Sequence, residues 1–215
     1  VKVALELKKL LVDTSRLDVS QAELEEALFR IMQRRGFGTD YISRYRLMTS
    51  FHHKRCPLIV LICGSACTGK STLATQLAQR LNLPNVLQVN LIYEILRTSG
   101  DSKLHTTPVW ARDLRREDMI RAFQVECGIV CKGVEGDLRK CLHDGKAMIV
   151  EGLHAEPELY AERIRQIWTA MEEGRSNEGR ESHAQSRSPI IVPVVLSMSL
   201  QEHKMLLEDW LAKRA

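Results

Sequence analysis

The sequence has no apolar run long enough to span a bilayer, no CxxC pair, no cysteine spacing typical of a zinc site and no internal repeat. The first absence excludes a transmembrane helix, and the others exclude common zinc-binding modules and solenoids. No signal-peptide pattern opens the chain, so a cytoplasmic protein is expected. The six cysteines, Cys56, Cys63, Cys67, Cys127, Cys131 and Cys141, are then expected to be small hydrophobes in a reducing compartment rather than a disulfide framework. Strong charge bias is also missing. A net charge of +4 suits an anionic ligand such as a phosphate ester but falls short of a dedicated nucleic-acid binder. The chain begins at Val1 rather than Met, which leads us to expect a fragment of a longer protein.

What is present supports a packed core. An apolar content of 44% across 215 residues suffices for one sizeable α/β domain, or for such a domain joined to a small helical one. Residues 1–51 read as a helical cap. Within them Ser20 and Glu23 form a capping-box pattern, and Leu24, Ala27, Leu28, Ile31 and Met32 recur at helical spacing up to a stop at Gly36. A second helix is expected from about Asp40 to Phe51, with a linker around His52 and His53.

The remainder, 52–215, alternates strands and helices. Leu58–Cys63 is a continuous aliphatic run, as in a buried parallel strand, and a helix is expected from Lys70 to about Leu81. Val86–Val89 reads as a short second strand, with a helix from Leu91 to Thr98. A long charged helical region spans Pro108 to His143, with possible breaks at Gly128, Gly133 or Gly136. Ala147–Val150 is a third strand closed by Glu151 and Gly152, followed by a helix from about Glu156 to Glu173. Residues 174–188 are polar and read as a disordered insertion. Ile190–Leu196 is a fourth strand, and a last helix runs from about Leu200 to Lys213. Such alternation predicts an α/β fold whose parallel sheet is covered by helices on both faces.

Chemistry concentrates after the first strand. Gly64-Ser65-Ala66-Cys67-Thr68-Gly69-Lys70-Ser71 is a P-loop, and it sits between a buried strand and an amphipathic helix. Glycines at both ends let the backbone curl so that its amides face the phosphates, and the helix adds its positive end. Lys70 can reach the β and γ phosphates, Ser71 can ligate Mg²⁺, and Thr72 extends the cofactor-binding set. Glu151 closes an aliphatic strand, where a carboxylate can hold a Mg²⁺-bound water. Arg97, Arg112, Arg115, Arg116 and Lys132 could clamp an anionic acceptor or form a solvated helix face, with Arg97 and Arg112 preferred. His154 is either a substrate contact or a plain loop histidine, and Trp110 reads as a packing residue.

Several segments together resemble the 2-phosphoglycerate kinase family. They are Phe51–Arg55, the P-loop, Leu81–Gln88, Tyr93–Arg97, Pro108–Asp113 and Ile149–His154. The likeness runs from about Tyr41 to the end and is nearest to the family's plant and protist branch, the low-phytic-acid P-loop proteins. The preceding helical segment resembles that family's ATP-cone-like region. The resemblance implies a P-loop kinase fold, with ATP and Mg²⁺ as cofactors and transfer of the γ-phosphoryl group to a hydroxyl of a small phosphorylated acceptor. That acceptor would be 2-phosphoglycerate-like, or an inositol phosphate in phytate metabolism.

Two departures stand out. The family's second strand usually ends in Asp, at a catalytic position, and here the residue is Asn90. An amide cannot take a proton from the acceptor hydroxyl. Kinases of this build also carry a fifth strand after the lid helix, whereas here the sequence stops at Ala215 within that helix, whose His203, Lys204 and Arg214 could face the phosphates. The expected function is therefore a small-molecule kinase. Its rival is an ATP-binding regulatory module without phosphoryl transfer, and neither has a nucleic-acid or membrane partner.

Overall fold

In a computed structural model of the chain, which describes residues 1–15, 18–83, 85–99, 104–177 and 188–212, three helices precede the first strand. They are α1 (Lys2–Asp13), α2 (Gln21–Arg34) and α3 (Thr39–His53). The chain separates into two compact units, Val1–Lys54 and Arg55–Ala215.

In the first unit the predicted capping box opens α2. The Ser20 hydroxyl accepts from the Glu23 amide at 3.3 Å, and the Glu23 carboxylate accepts from the Ser20 amide at 2.9 Å. Phe29, Ile31 and Ile42 are buried, and Tyr45 meets Phe29 edge-on with centroids 5.7 Å apart. Helix α3 runs two residues past the expected Phe51, so His52 and His53 occupy its last turn rather than a linker. His53 Nδ1 bonds the Thr49 carbonyl at 2.8 Å, which holds the ring along its own helix.

The second unit contains β1 (Leu58–Gly64), α4 (Lys70–Leu81), β2 (Val86–Gln88) and α5 (Val89–Thr98), then a 3-10 turn at Val109–Ala111. It continues with α6 (Arg116–Gly133), α7 (Glu135–Asp144), β3 (Ala147–Glu151), α8 (Pro157–Asn177), β4 (Ile190–Leu196) and α9 (Leu200–Ala212). The four strands form one parallel sheet in the order β2-β3-β1-β4. The register pairs Leu58 with Ala147, Ile62 with Glu151 and Gly64 with Leu196.

Alternation along β1 and β3 decides what each face buries. Ile59, Leu61, Cys63, Met148 and Val150 join Tyr93 of α5, Val130 of α6, Leu138 of α7 and Ile164 of α8 in one core. Helix α4 lies against β1, β2 and β3, with Ala74 wholly buried. The fold is therefore α/β, its central strands covered on both faces as the aliphatic runs predict. The edge strand β4 differs. Ile190, Val192 and Val195 are exposed, and Pro193, which has no backbone N–H, is tolerated there because only one side of an edge strand is paired.

Several boundaries differ from those expected. β2 ends at Gln88, and Val89 is the buried first residue of α5. The long helical region begins with the 3-10 turn and breaks at Val134, between Gly133 and Gly136. Residues 174–177, expected in a disordered insertion, complete the last turn of α8. Residues 178–187 of that insertion lie outside the described residues, as do Lys213 and Arg214.

All six cysteines are free. Burial pushes the Cys127 thiol up to about 12 and those of Cys131 and Cys141 up to about 11, so they behave as inert small hydrophobes. Among the described residues no helix is long and apolar enough to cross a membrane.

Candidate functional site

The P-loop connects the end of β1 to the start of α4. Gly64 has φ +146°, and a Cβ there would meet the Leu196 carbonyl oxygen at 2.3 Å, so the strand-to-loop exit admits only glycine. Cys67 and Gly69 adopt left-handed backbone, φ +60° and +83°, which turns the loop back onto the helix start. The Thr68 hydroxyl donates to the Ser65 carbonyl at 2.9 Å and closes the curl. Helix α4 has no side-chain N-cap, so its first amides are left for a ligand.

Lys70 is 6% exposed and donates from Nζ to the Ser65 carbonyl at 2.5 Å. Burial holds its ammonium below the ordinary lysine range, against the opposing pull of Glu151. The Ser71 hydroxyl donates to Oε1 of Glu151 at 2.9 Å. Glu151 ends β3, only 2% exposed, and its Oε2 has no hydrogen-bond partner among the described residues. Parallel pairing of β1 with β3 creates this meeting, because it sets the two strand ends side by side at Ile62 and Glu151.

A hydroxyl beside a carboxylate with one unused oxygen fits Mg²⁺, a hard cation that takes oxygen ligands and keeps several waters. Among the described residues no cluster of three His, Cys, Asp or Glu side chains suggests a separate metal centre.

Asn90 lies in the first turn of α5, not at the end of a strand. Its Oδ1 accepts from the Leu153 amide at 2.9 Å, so it braces the loop after Glu151. Gly152 permits that closeness. With φ +152°, a Cβ there would meet Val89 Cγ2 at 2.4 Å and Asn90 Oδ1 at 2.8 Å.

Arg97 and Arg112 converge on one stretch of backbone. Arg97 donates to the Thr106 carbonyl at 2.5 Å, and Arg112 Nε donates to the adjacent Thr107 carbonyl at 2.6 Å. Each is also matched by a carboxylate, Glu94 for Arg97 and Glu126 for Arg112. Arg115, Arg116 and Lys132 are exposed, in keeping with a solvated helix face.

His154 is neither a solvent-facing loop histidine nor an open contact. It is 1% exposed, with the Tyr93 ring stacked on it at 4.2 Å and Phe123 at 5.1 Å. Its Nε2 lies 3.5 Å from Glu126 Oε2, within ion-pair range but making no hydrogen bond. Trp110, expected to be a packing residue, is 53% exposed at the edge of this cluster, 5.9 Å from Tyr93. Glu126 itself is 3% exposed. Nothing in the local sequence marks it, since it sits mid-helix in a charged segment and only the fold reveals its partners.

On α9, His203 Nε2 donates to the Ala66 carbonyl of the P-loop at 2.7 Å, whereas Lys204 pairs with Glu208 at 3.9 Å along its own helix. Thr72 is exposed in the first turn of α4.

Known proteins bear on this arrangement. This chain is similar to proteins named 2-phosphoglycerate kinase. The one from Pyrococcus horikoshii is 26% identical over an alignment of 223 positions, covering 99% of this chain and 74% of its own. That of Pyrococcus furiosus is 27% identical, covering 86% and 64%, and that of Methanopyrus kandleri is 27% identical, covering 76% and 52%. The chain thus spans from about half to three quarters of the length of these relatives. A solved structure, that of a candidate kinase from Chloroflexus aurantiacus J-10-fl, aligns with 74% of this chain and 97% of its own. Its identity is 18% and its TM-score 0.33. No protein-family model matches.

Proposed function

We propose that the chain is an ATP- and Mg²⁺-dependent small-molecule kinase, transferring the γ-phosphoryl group to a hydroxyl of a small phosphorylated acceptor. The observation that carries this reading is the meeting of P-loop and strand end, with Lys70 buried beside the loop and Ser71 bonded to Glu151. The relatives named 2-phosphoglycerate kinase support it and make 2-phosphoglycerate the first acceptor to test. An inositol phosphate is the second, on the resemblance to the plant and protist branch.

The residues divide the task. Loop amides from Gly64 to Gly69 and the start of α4 cradle the phosphates, with Thr72 one position beyond Ser71. Lys70 neutralises charge on the transferred group. Ser71 directly, and Glu151 through water, would hold Mg²⁺, which when bound supplies charge neutralisation at the β and γ phosphates. On the acceptor side Arg112 and Arg97 present cations, and His154 lies beside Glu126, the carboxylate that pairs with Arg112. Phosphoryl transfer through a loose transition state depends more on positioning and neutralisation than on proton abstraction, so Asn90 can brace the loop without acting as a base.

That same amide favours a second reading, a module that binds ATP without transferring phosphate. Measuring ATP binding together with acceptor-dependent ADP release on the full chain separates them. Release stimulated by 2-phosphoglycerate or an inositol phosphate supports the kinase. Tight binding without stimulated release, also in Asn90→Asp, supports the module.

A further inference from the structure

Four buried polar atoms without hydrogen-bond partners among the described residues gather in one place: Tyr93 Oη, Glu126 Oε2, and both ring nitrogens of His154. Burying such groups without hydrogen bonds opposes folding, whereas apolar side chains of similar volume in their place are generally neutral or stabilising. A charge so deeply buried as Glu126 must be matched, and Arg112 matches it through Oε1. The other oxygen faces His154. The carboxylate therefore stands between two elements that approach from different parts of the chain.

One of these elements is the stretch from Thr106 to Arg112, where Arg112 and Arg97 grip neighbouring carbonyls. The other is the loop leaving β3, which starts at Glu151, is braced by Asn90 at Leu153 and reaches His154. Helix α5 supplies the wall between them, with Asn90, Tyr93 and Arg97 spaced so that all three lie on one side of it. Arg112 uses Nε on Thr107 and Nη2 on Glu126, which leaves Nη1 outside both contacts.

We propose that Glu126 is the positioning residue of the acceptor side, fixing the Arg112 guanidinium and tying it through His154 to the loop after Glu151. This inference rests on the kinase reading above. Glu126 touches neither acceptor nor nucleotide in this scheme. A preset guanidinium binds the acceptor's phosphate or carboxylate without first paying the entropy of ordering its own side chain. Because Arg112 meets the acceptor in the ground state and the transition state alike, loss of Glu126 is read in acceptor KM rather than in kcat.

The test uses the full chain with Glu126→Gln, Glu126→Asp, Arg112→Ala and the double variant Glu126→Gln/Arg112→Ala. Initial rates are measured with varied 2-phosphoglycerate at saturating ATP and with varied ATP, alongside equilibrium ATP binding. Glu126→Gln should raise acceptor KM about tenfold, the loss expected of one charge-assisted contact. It should leave ATP KM and ATP affinity unchanged, and kcat within about twofold. In the Arg112→Ala background it should add nothing, because it acts through Arg112. An unchanged acceptor KM, equal effects on both substrates, or additivity with Arg112→Ala would overturn the inference while leaving the kinase reading intact. If the Gln variant does not fold, Glu126→Asp decides on the same terms, since it keeps the charge but shortens its reach. If the parent shows no acceptor-dependent ADP release, the kinase reading fails and the inference fails with it.

Discussion

The Ser71 hydroxyl donates to Glu151 Oε1 at 2.9 Å, joining residues 80 positions apart in sequence. One belongs to the helix after the P-loop and the other ends the neighbouring strand, so the parallel register of β1 and β3 is what creates the candidate metal site. Glu151→Gln should therefore uncouple metal from nucleotide. ATP affinity without Mg²⁺ is expected to persist, while apparent Mg²⁺ affinity falls on the order of 10–100-fold, as when a metal site loses an outer-shell partner. Titration of ATP with and without Mg²⁺ checks this, and an undiminished Mg²⁺ effect would remove Glu151 from the site.

Lys70→Ala removes a buried ammonium at the phosphate loop together with its bond to the Ser65 carbonyl. A lost charge-assisted contact of roughly 1.5–3 kcal/mol corresponds to about a 10- to 150-fold weaker ATP complex. Calorimetric titration is the measurement. Parent-like affinity would show that this loop does not bind phosphates in the manner described.

Gly152→Ala should destabilise the second unit. The added methyl would press on Val89 and Asn90 at a backbone conformation that L side chains rarely adopt. The combined overpacking and backbone strain costs about 1–3 kcal/mol. Denaturant unfolding should show a lowered midpoint with an unchanged slope, and equal midpoints would mean the loop after β3 relaxes without cost.

His154 gives a pH signature. Burial depresses its imidazole below the ordinary value of 6.5, against the opposing influence of Glu126 and Glu94. Tyr93, pushed up to about 12 by burial and by Glu126, stays protonated beside it. In the unfolded chain the ring takes up a proton near pH 6.5 while in the fold it stays neutral, so the unfolded state binds more protons. Stability is then complete above that pH and falls as pH drops toward the folded-state value, by at most about 1.4 kcal/mol per pH unit. His154→Phe, which keeps an aromatic ring in the box, should flatten this slope. Superimposable stability–pH curves for parent and variant would contradict it.

These relationships were unequally visible before the fold. The P-loop is legible because its eight residues are contiguous and their mechanism depends on local backbone. Glu151 is legible because a carboxylate closing an aliphatic run has few structural reasons to be there. Glu126 is not, since its partners Arg112 and His154 lie on different elements and meet only in the packed unit. The end of β2 was obscured by Val89, whose branched apolar side chain continues the strand pattern although it is buried as the first residue of α5. The start of the polar insertion is another boundary that composition misplaces, since α8 continues across Gly174 to Asn177, and a Cβ at Gly174 would meet nothing within 4 Å. Exposure of β4 was equally hidden, because an aliphatic run does not distinguish a central strand from an edge.

Phosphorus NMR of the full chain with Mg²⁺, ATP and 2-phosphoglycerate tests the central claim most directly, with Lys70→Ala as the control. The account predicts that ATP γ-phosphorus intensity is lost as a new phosphate ester resonance of a bisphosphorylated acid grows, and that the control shows neither change. ATP that binds but persists unchanged beside 2-phosphoglycerate and beside inositol phosphates alike, or equal product from the control, would contradict it.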